Sequence, residues 1–128
     1  MNVLLDTCAF LWLASDDAAL SEKAKTVFQD PDNTVLLSSV SIWEVLVKHQ
    51  LGKLPLPLAP EAFVRQQCRD HLIDYLPLDE KAVFQLSRLP TLHRDPFDRM
   101  LICQAMAHDL VILTADGLIS QYPVATLW

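Results

Sequence analysis

The chain has 128 residues, of which 52% are hydrophobic and 20% charged, and its formal net charge is −6. This length suits one domain, residues 1–128, whose core needs no staples, and the apolar surplus points to a sheet covered on both faces or to a surface that meets a partner. The acidic balance excludes unaided nucleic-acid binding, because phosphate contacts draw on Lys and Arg; with a nucleic-acid substrate, something such as a divalent cation must offset the carboxylates locally.

In chain order, Met1 to Leu5 reads as a short buried strand ending at Asp6, and Thr7 to Ala14 as a helix. Ser21 is an N-cap for a helix to Gln29, and Asp30-Pro31-Asp32-Asn33 is a turn. A second strand, Thr34 to Leu37, meets Ser38 and Ser39, either of which can cap a helix running to about Gln50 and ended by Gly52. The proline-rich segment Leu54 to Leu58 is a loop. Pro60 suits the first turn of a helix to about Arg69. A third strand spans Leu72 to Leu76, a helix Asp79 to Arg88, a loop Leu89 to His93 and a strong helix Phe97 to His108. Leu110 to Leu113 is a fourth strand, followed by a short helix near Leu118 and a last strand, Val124 to Leu127. Strands alternating with helices predict an α/β fold with a parallel sheet and helices on both faces.

The two glycines, Gly52 and Gly117, are too few for a phosphate-binding Walker loop or a dinucleotide fingerprint. The odd, scattered cysteines Cys8, Cys68 and Cys103 argue for a reducing compartment rather than a disulfide framework. No stretch reaches the roughly 18 apolar residues of a membrane span, and no basic region precedes the first apolar stretch, so the cytoplasm is the expected location and no membrane contact is expected. His49, His71, His93 and His108 pair with no cysteine at zinc spacing. His93 is near acids but reads as a solvated loop residue, and Trp43, Phe97 and Met100 read as core.

The acids carry more information. Ligands of open parallel sheets bind beyond the carboxyl ends of the strands. Asp6 ends the first strand, Glu44 lies in the helix after the second, and Asp116 follows the fourth after two intervening residues, Thr114 and Ala115. Asp95 and Asp98 open the helix before the fourth strand, whose N-terminus lies at the same edge if that helix runs antiparallel. Each has an ordinary alternative. Asp6 can cap the next helix and Asp116 can serve a turn before Gly117. Asp95-Pro96-Phe97-Asp98 has the form of a capping arrangement. Glu44 shares a stripe with Ser41 and Lys48 on a mostly apolar helix, so it is either half of an i,i+4 pair with Lys48 or a ligand or base at a cleft rim. Carboxylates crowded together raise one another's pKa, and a cation relieves the crowding. Hard oxygen donors favour Mg²⁺, with Mn²⁺ as a substitute, over zinc.

These residues resemble the PIN-domain family, especially VapC-type toxins. Val3-Leu4-Leu5-Asp6-Thr7 is similar to the family's first strand and acid, Ser39 to Glu44 to its second-acid helix, with Leu51-Gly52-Lys53-Leu54 after it, and Leu113-Thr114-Ala115-Asp116 to its fourth acid site. His93-Arg94-Asp95-Pro96-Phe97-Asp98-Arg99-Met100 and its continuation to Ala105 form the most specific stretch. Cys103 departs from the pattern, standing where a small residue is more usual, with no bearing on the acids. The resemblance implies a three-layer α/β/α fold with a central parallel sheet of four to five strands, and a metal-dependent endoribonuclease. It implies Asp6, Glu44, Asp98 and Asp116 as the acidic site, a homodimer, and a cognate antitoxin occupying the cleft. Asp98 precedes the apolar run as the family's third acid does, which leaves Asp95 as an auxiliary acid.

On this reading Asp6 and Asp98 hold Mg²⁺ with Asp116 completing its shell, and Glu44 orients the attacking water, directly or through a second ion. Thr7 and Thr114 are candidates to orient carboxylates, and Arg94, Arg99, Lys48 and Lys53 are either contacts to the RNA backbone or plain surface charges and helix pairs. Two rivals differ in class. A Mg²⁺-dependent phosphotransfer or receiver-like protein uses a lysine after a late strand, and none follows Lys81. A non-catalytic interaction module uses the acids only as caps and surface charge.

Overall fold

The run Val3-Leu4-Leu5 lies at the centre of the sheet. In the computed structural model, which describes residues 1–128, all three side chains are fully buried. Five strands, β1 (Asn2–Leu5), β2 (Thr34–Ser38), β3 (Asp74–Leu76), β4 (Val111–Leu113) and β5 (Thr126–Leu127), form one parallel sheet in the order β3-β2-β1-β4-β5. Parallel strands need long crossovers, and helices supply them. They are α1 (Thr7–Ala14), α2 (Glu22–Gln29), α3 (Ser39–Gln50), α4 (Pro60–Asp70), α5 (Glu80–Gln85) and α6 (Pro96–His108).

The alternation of side chains along β1 builds two cores. Val3 and Leu5 pack with Phe10 of α1, Val27 of α2, Phe63 and Val64 of α4, and Leu37 and Leu113 of the sheet. Leu4 packs on the other face with Val40, Ile112 and the α6 residues Leu101, Ile102 and Ala105. Helices therefore cover both faces in three layers, as expected. No helix is long and apolar enough to cross a membrane.

Polar residues immediately before them start most of the helices. Asp6, Ser21, Ser38, Asp79 and Asp95 each accept a hydrogen bond from a backbone N–H of the first turn that follows. Such bonds satisfy donors that the helix itself leaves unpaired. Pro60 and Pro96 occupy first turns, where a missing N–H costs nothing. Gly52, just beyond α3, has φ +72°, a conformation that disfavours a β-carbon.

The structure departs from the sequence reading where local pattern is weakest. The third strand is shorter than expected: Leu72 has φ +54° and is exposed, so pairing begins only at Asp74. The helix expected over 79–88 is α5 followed by a 3₁₀ turn, Leu86–Arg88. The helix near Leu118 is a 3₁₀ turn, Ile119–Gln121, and the last strand has two residues.

Candidate active site

The carboxyl edge of β1 and β4 builds the site's floor. The Asp6 amide donates to the Leu113 carbonyl at 3.2 Å, extending the ladder one residue past β1. That brings Asp6 beside Thr114, whose hydroxyl donates to Asp6 Oδ2 at 2.5 Å, while Oδ1 accepts from the Ala9 amide at 2.7 Å. Asp6 is thus both the cap of α1 and a carboxylate fixed at the strand end. The Thr114 hydroxyl also accepts from the Asp116 amide at 3.0 Å, and Asp116 Oδ1 accepts from Leu118 N–H.

The helices supply the walls. From α3, Glu44 accepts at Oε1 from the Thr7 hydroxyl at 2.6 Å, and Oε2 pairs with Lys48. The i,i+4 pair and the placement at the cleft therefore coexist. Each carboxylate oxygen carries two lone pairs, so both retain accepting capacity. From α6, Asp95 Oδ1 caps Phe97 and Asp98, and Asp98 Oδ2 faces His93 Nε2 at 3.4 Å.

These elements converge on one cavity of about 290 Å³, lined by Asp6, Thr7, Cys8, Trp12, Glu44, Lys48, Asp95, Asp98, Ala115 and Asp116. All five acids named from the sequence meet there. The cationic candidates divide. Lys48 lines the cavity but is engaged by Glu44. Arg99 is turned inward, donating to the Pro90 carbonyl and the Tyr122 hydroxyl, which leaves it no free guanidinium nitrogen Nη1 for a backbone phosphate. Arg94 and Lys53 are exposed and outside the cavity lining.

Two sequence expectations fail here. His93 is not solvated: its side chain is 10% exposed and wedged between Tyr122 and Asp98. Trp43 is not core: it is 57% exposed and meets Phe97 edge to face at 4.8 Å. Phe97 and Met100 are half-buried against the α6 core. Tyr122, Cys8 and Trp12 escaped the sequence reading: Tyr122 is distant in sequence from the acids, and Cys8 and Trp12, on the helix that Asp6 caps, belong to no motif that marks them as cavity lining.

The acids disturb one another. Burial pushes the Asp6 carboxyl up, with Asp116 and Glu44 adding to the rise and the Thr114 and Ala9 hydrogen bonds opposing it. Asp98 is pushed up to about 6, first by burial and then by Asp95, Glu44 and Asp6. Burial also raises the Cys8 thiol to about 11, helped by the charges of Asp6 and Glu44, so it stays protonated at neutral pH.

As the side chains stand, no group of three His, Cys, Asp or Glu residues is drawn tightly enough together to hold a metal ion. The donor chemistry nevertheless suits a hard divalent cation. The cavity offers five carboxylates, its one soft donor, Cys8, is held as the protonated thiol, and its one lining lysine is already paired. On Asp95, Asp98 and Asp116 one carboxylate oxygen each is left without a hydrogen bond.

A family model described as "PIN domain" matches residues 3–124. Ribonuclease VapC16 of Mycobacterium tuberculosis is 39% identical over 57 residues; the match covers 44% of this chain and 38% of that relative. The crystal structure of VapBC2 from Rickettsia felis bound to a promoter DNA fragment shares the fold at a TM-score of 0.76 and 14% identity, covering 100% of this chain and 99% of that one. VapBC-5 of Mycobacterium tuberculosis, from the VapBC family of toxin–antitoxin systems, aligns at a TM-score of 0.59 and 18% identity, covering 94% of this chain and 89% of that one. The strand order, the acids gathered at the carboxyl edge and a match across nearly the whole chain lead to one assignment: the chain belongs to the PIN-domain family.

Proposed function

We propose that this chain is a Mg²⁺-dependent endoribonuclease and the VapC-type toxin of a toxin–antitoxin pair. The observation that carries the reading is a single cavity that gathers five carboxylates, two of which, Asp6 and Asp98, are pushed up by burial and by neighbouring acids, while its one lysine is already committed to Glu44. Such a site is under-neutralised at pH 7, and a divalent cation removes the repulsion.

Asp6, Asp98 and Asp116 would hold the ion, with Asp95 an auxiliary acid whose main work is to cap α6. Held there, the ion would supply charge neutralisation for the scissile phosphodiester. Glu44, steadied by Thr7 and Lys48, orients the attacking water. Thr114 fixes the Asp6 carboxylate. Hydrolysis then joins the water oxygen to phosphorus and expels the 3′ oxygen, leaving a 5′-phosphate and a 3′-hydroxyl. Arg94 and Lys53, both exposed, are available to the RNA backbone. The toxin reading draws on the names of the similar proteins: a ribonuclease for the partial relative, and toxin–antitoxin systems for VapBC-5. A cognate antitoxin, a homodimeric assembly and a cytoplasmic location belong to the same proposal.

The test is cleavage of RNA by purified protein in Mg²⁺, in EDTA, and with Asp6→Asn or Asp98→Asn. The expected result is cleavage in Mg²⁺ alone, with each variant reduced at least about 100-fold. Undiminished cleavage in EDTA or by either variant overturns the reading.

A further inference from the structure

The Tyr122 hydroxyl is the most heavily used polar atom near the site. Tyr122 follows the 3₁₀ turn after β4 and is buried, at 3% exposure. Its oxygen receives the backbone N–H groups of Leu92 and His93 and the Nη1 of Arg99, each at 3.1 Å. His93 Nδ1 lies 2.9 Å from the same oxygen. A hydroxyl has two lone pairs and one hydrogen. Three N–H donors already crowd the lone pairs, so Nδ1 cannot donate as well. The Tyr122 hydrogen therefore goes to His93 Nδ1, and the neutral ring carries its own proton on Nε2. That Nε2–H faces Asp98 Oδ2 at 3.4 Å.

Hydrogen-bond accounting thus fixes a direction from Tyr122 O–H to His93 Nδ1, and from His93 Nε2–H to the Asp98 carboxylate. The same hydroxyl pins the loop that leads into α6, where Asp95 and Asp98 sit. Tyr122 and His93 lie 29 residues apart in sequence, whereas His93 and Asp98 are five apart.

We propose that His93, locked in its Nε2–H form by Tyr122, is a positioning residue that turns one oxygen of Asp98 away and presents the other, Oδ1, to the cation of the cleft. The proposal rests on the metal-dependent reading above. Outer-shell partners of this kind orient ligands, and their loss typically costs 10–100-fold in metal affinity.

Two measurements test it. Long-range ¹H–¹⁵N correlation spectra of the metal-free protein report which imidazole nitrogen of His93 is protonated. The expected pattern is a proton on Nε2 in the wild type; a proton on Nδ1 overturns the proposal. Mn²⁺ titration followed by electron paramagnetic resonance then compares the wild type with His93→Leu, His93→Gln and Asp98→Asn. His93→Leu should weaken binding about 10-fold or more. His93→Gln, whose amide keeps a donor near the Nε2 position, should stay within about threefold of the wild type. Wild-type affinity in His93→Leu beside weakened binding in Asp98→Asn overturns the positioning role and leaves the metal site standing. Wild-type affinity in Asp98→Asn overturns the metal site itself and the proposal with it.

Discussion

Asp98 bears the clearest cost of the fold. Burial and three neighbouring acids raise its carboxyl from an ordinary 3.8 to about 6, so the native state binds a proton that the unfolded chain releases. Stability then falls as pH rises through that window and is regained as pH drops from about 6 toward 4. Asp6 is displaced in the same direction. Asp79, held low by the Ala82 amide, acts only below about pH 4 and leaves the window to the cleft acids. Metal-free protein should therefore melt at higher temperature at pH 5 than at pH 7, by an amount up to the order of 2 kcal/mol, and saturating Mg²⁺ should flatten that slope. Asp98→Asn removes the repelling charge while keeping the shape. It should raise the metal-free Tm at pH 7 by a few degrees, read from thermal melts in EDTA, and reduce cleavage at least about 100-fold, read from an RNA cleavage assay. A lower Tm in that variant would assign Asp98 a supporting role instead. At this scale the sequence showed the acids but not their company. Glu44 with Lys48 was readable because four residues separate them on one helix. His93 looked solvated because its partner, Tyr122, lies 29 residues away and nothing local links the two.

The helix starts were legible for a physical reason: a cap and its amide are neighbours in sequence. Ser21, Ser38, Pro60, Asp95 and Pro96 all stand where the local chemistry placed them. The opening of α6 separates capping from ligation experimentally. Asp95→Ala strands the Phe97 and Asp98 amides and should cost about 1 kcal/mol in denaturant unfolding. Asp95→Asn keeps an accepting oxygen, so stability should be retained and cleavage should fall much less than in Asp98→Asn. Equal losses of cleavage in the two variants would make Asp95 a ligand of the same rank. Strand ends were less legible. β3 lies at the sheet edge and begins two residues later than its apolar pattern suggests, because Leu72 adopts a left-handed backbone. Helix faces were also ambiguous. α3 is apolar almost all round, and only the tertiary packing decides that Val45 is buried while Trp43 and Leu46 are exposed.

Across the whole molecule, the order β3-β2-β1-β4-β5 does the gathering. Parallel strands point their carboxyl ends to one edge, and β1 at the centre sets Asp6 between the contributions of α3 on one side and of β4 and α6 on the other. That convergence was predictable from the alternation of elements, whereas the distances within it were not, since rotamers and loop paths set them. The central strand also anchors stability. Leu4 is fully buried against α6, and Leu4→Ala should cost about 2–5 kcal/mol in denaturant unfolding, loosening the cleft from beneath. Catalysis by this cleft turns on whether the gathered carboxylates capture a divalent ion. A crystal soaked in Mn²⁺ and measured at the manganese edge decides this: the predicted result is an anomalous peak in the cavity among Asp6, Asp98 and Asp116. An empty cavity at full Mn²⁺ saturation, with those oxygens still apart, would contradict it.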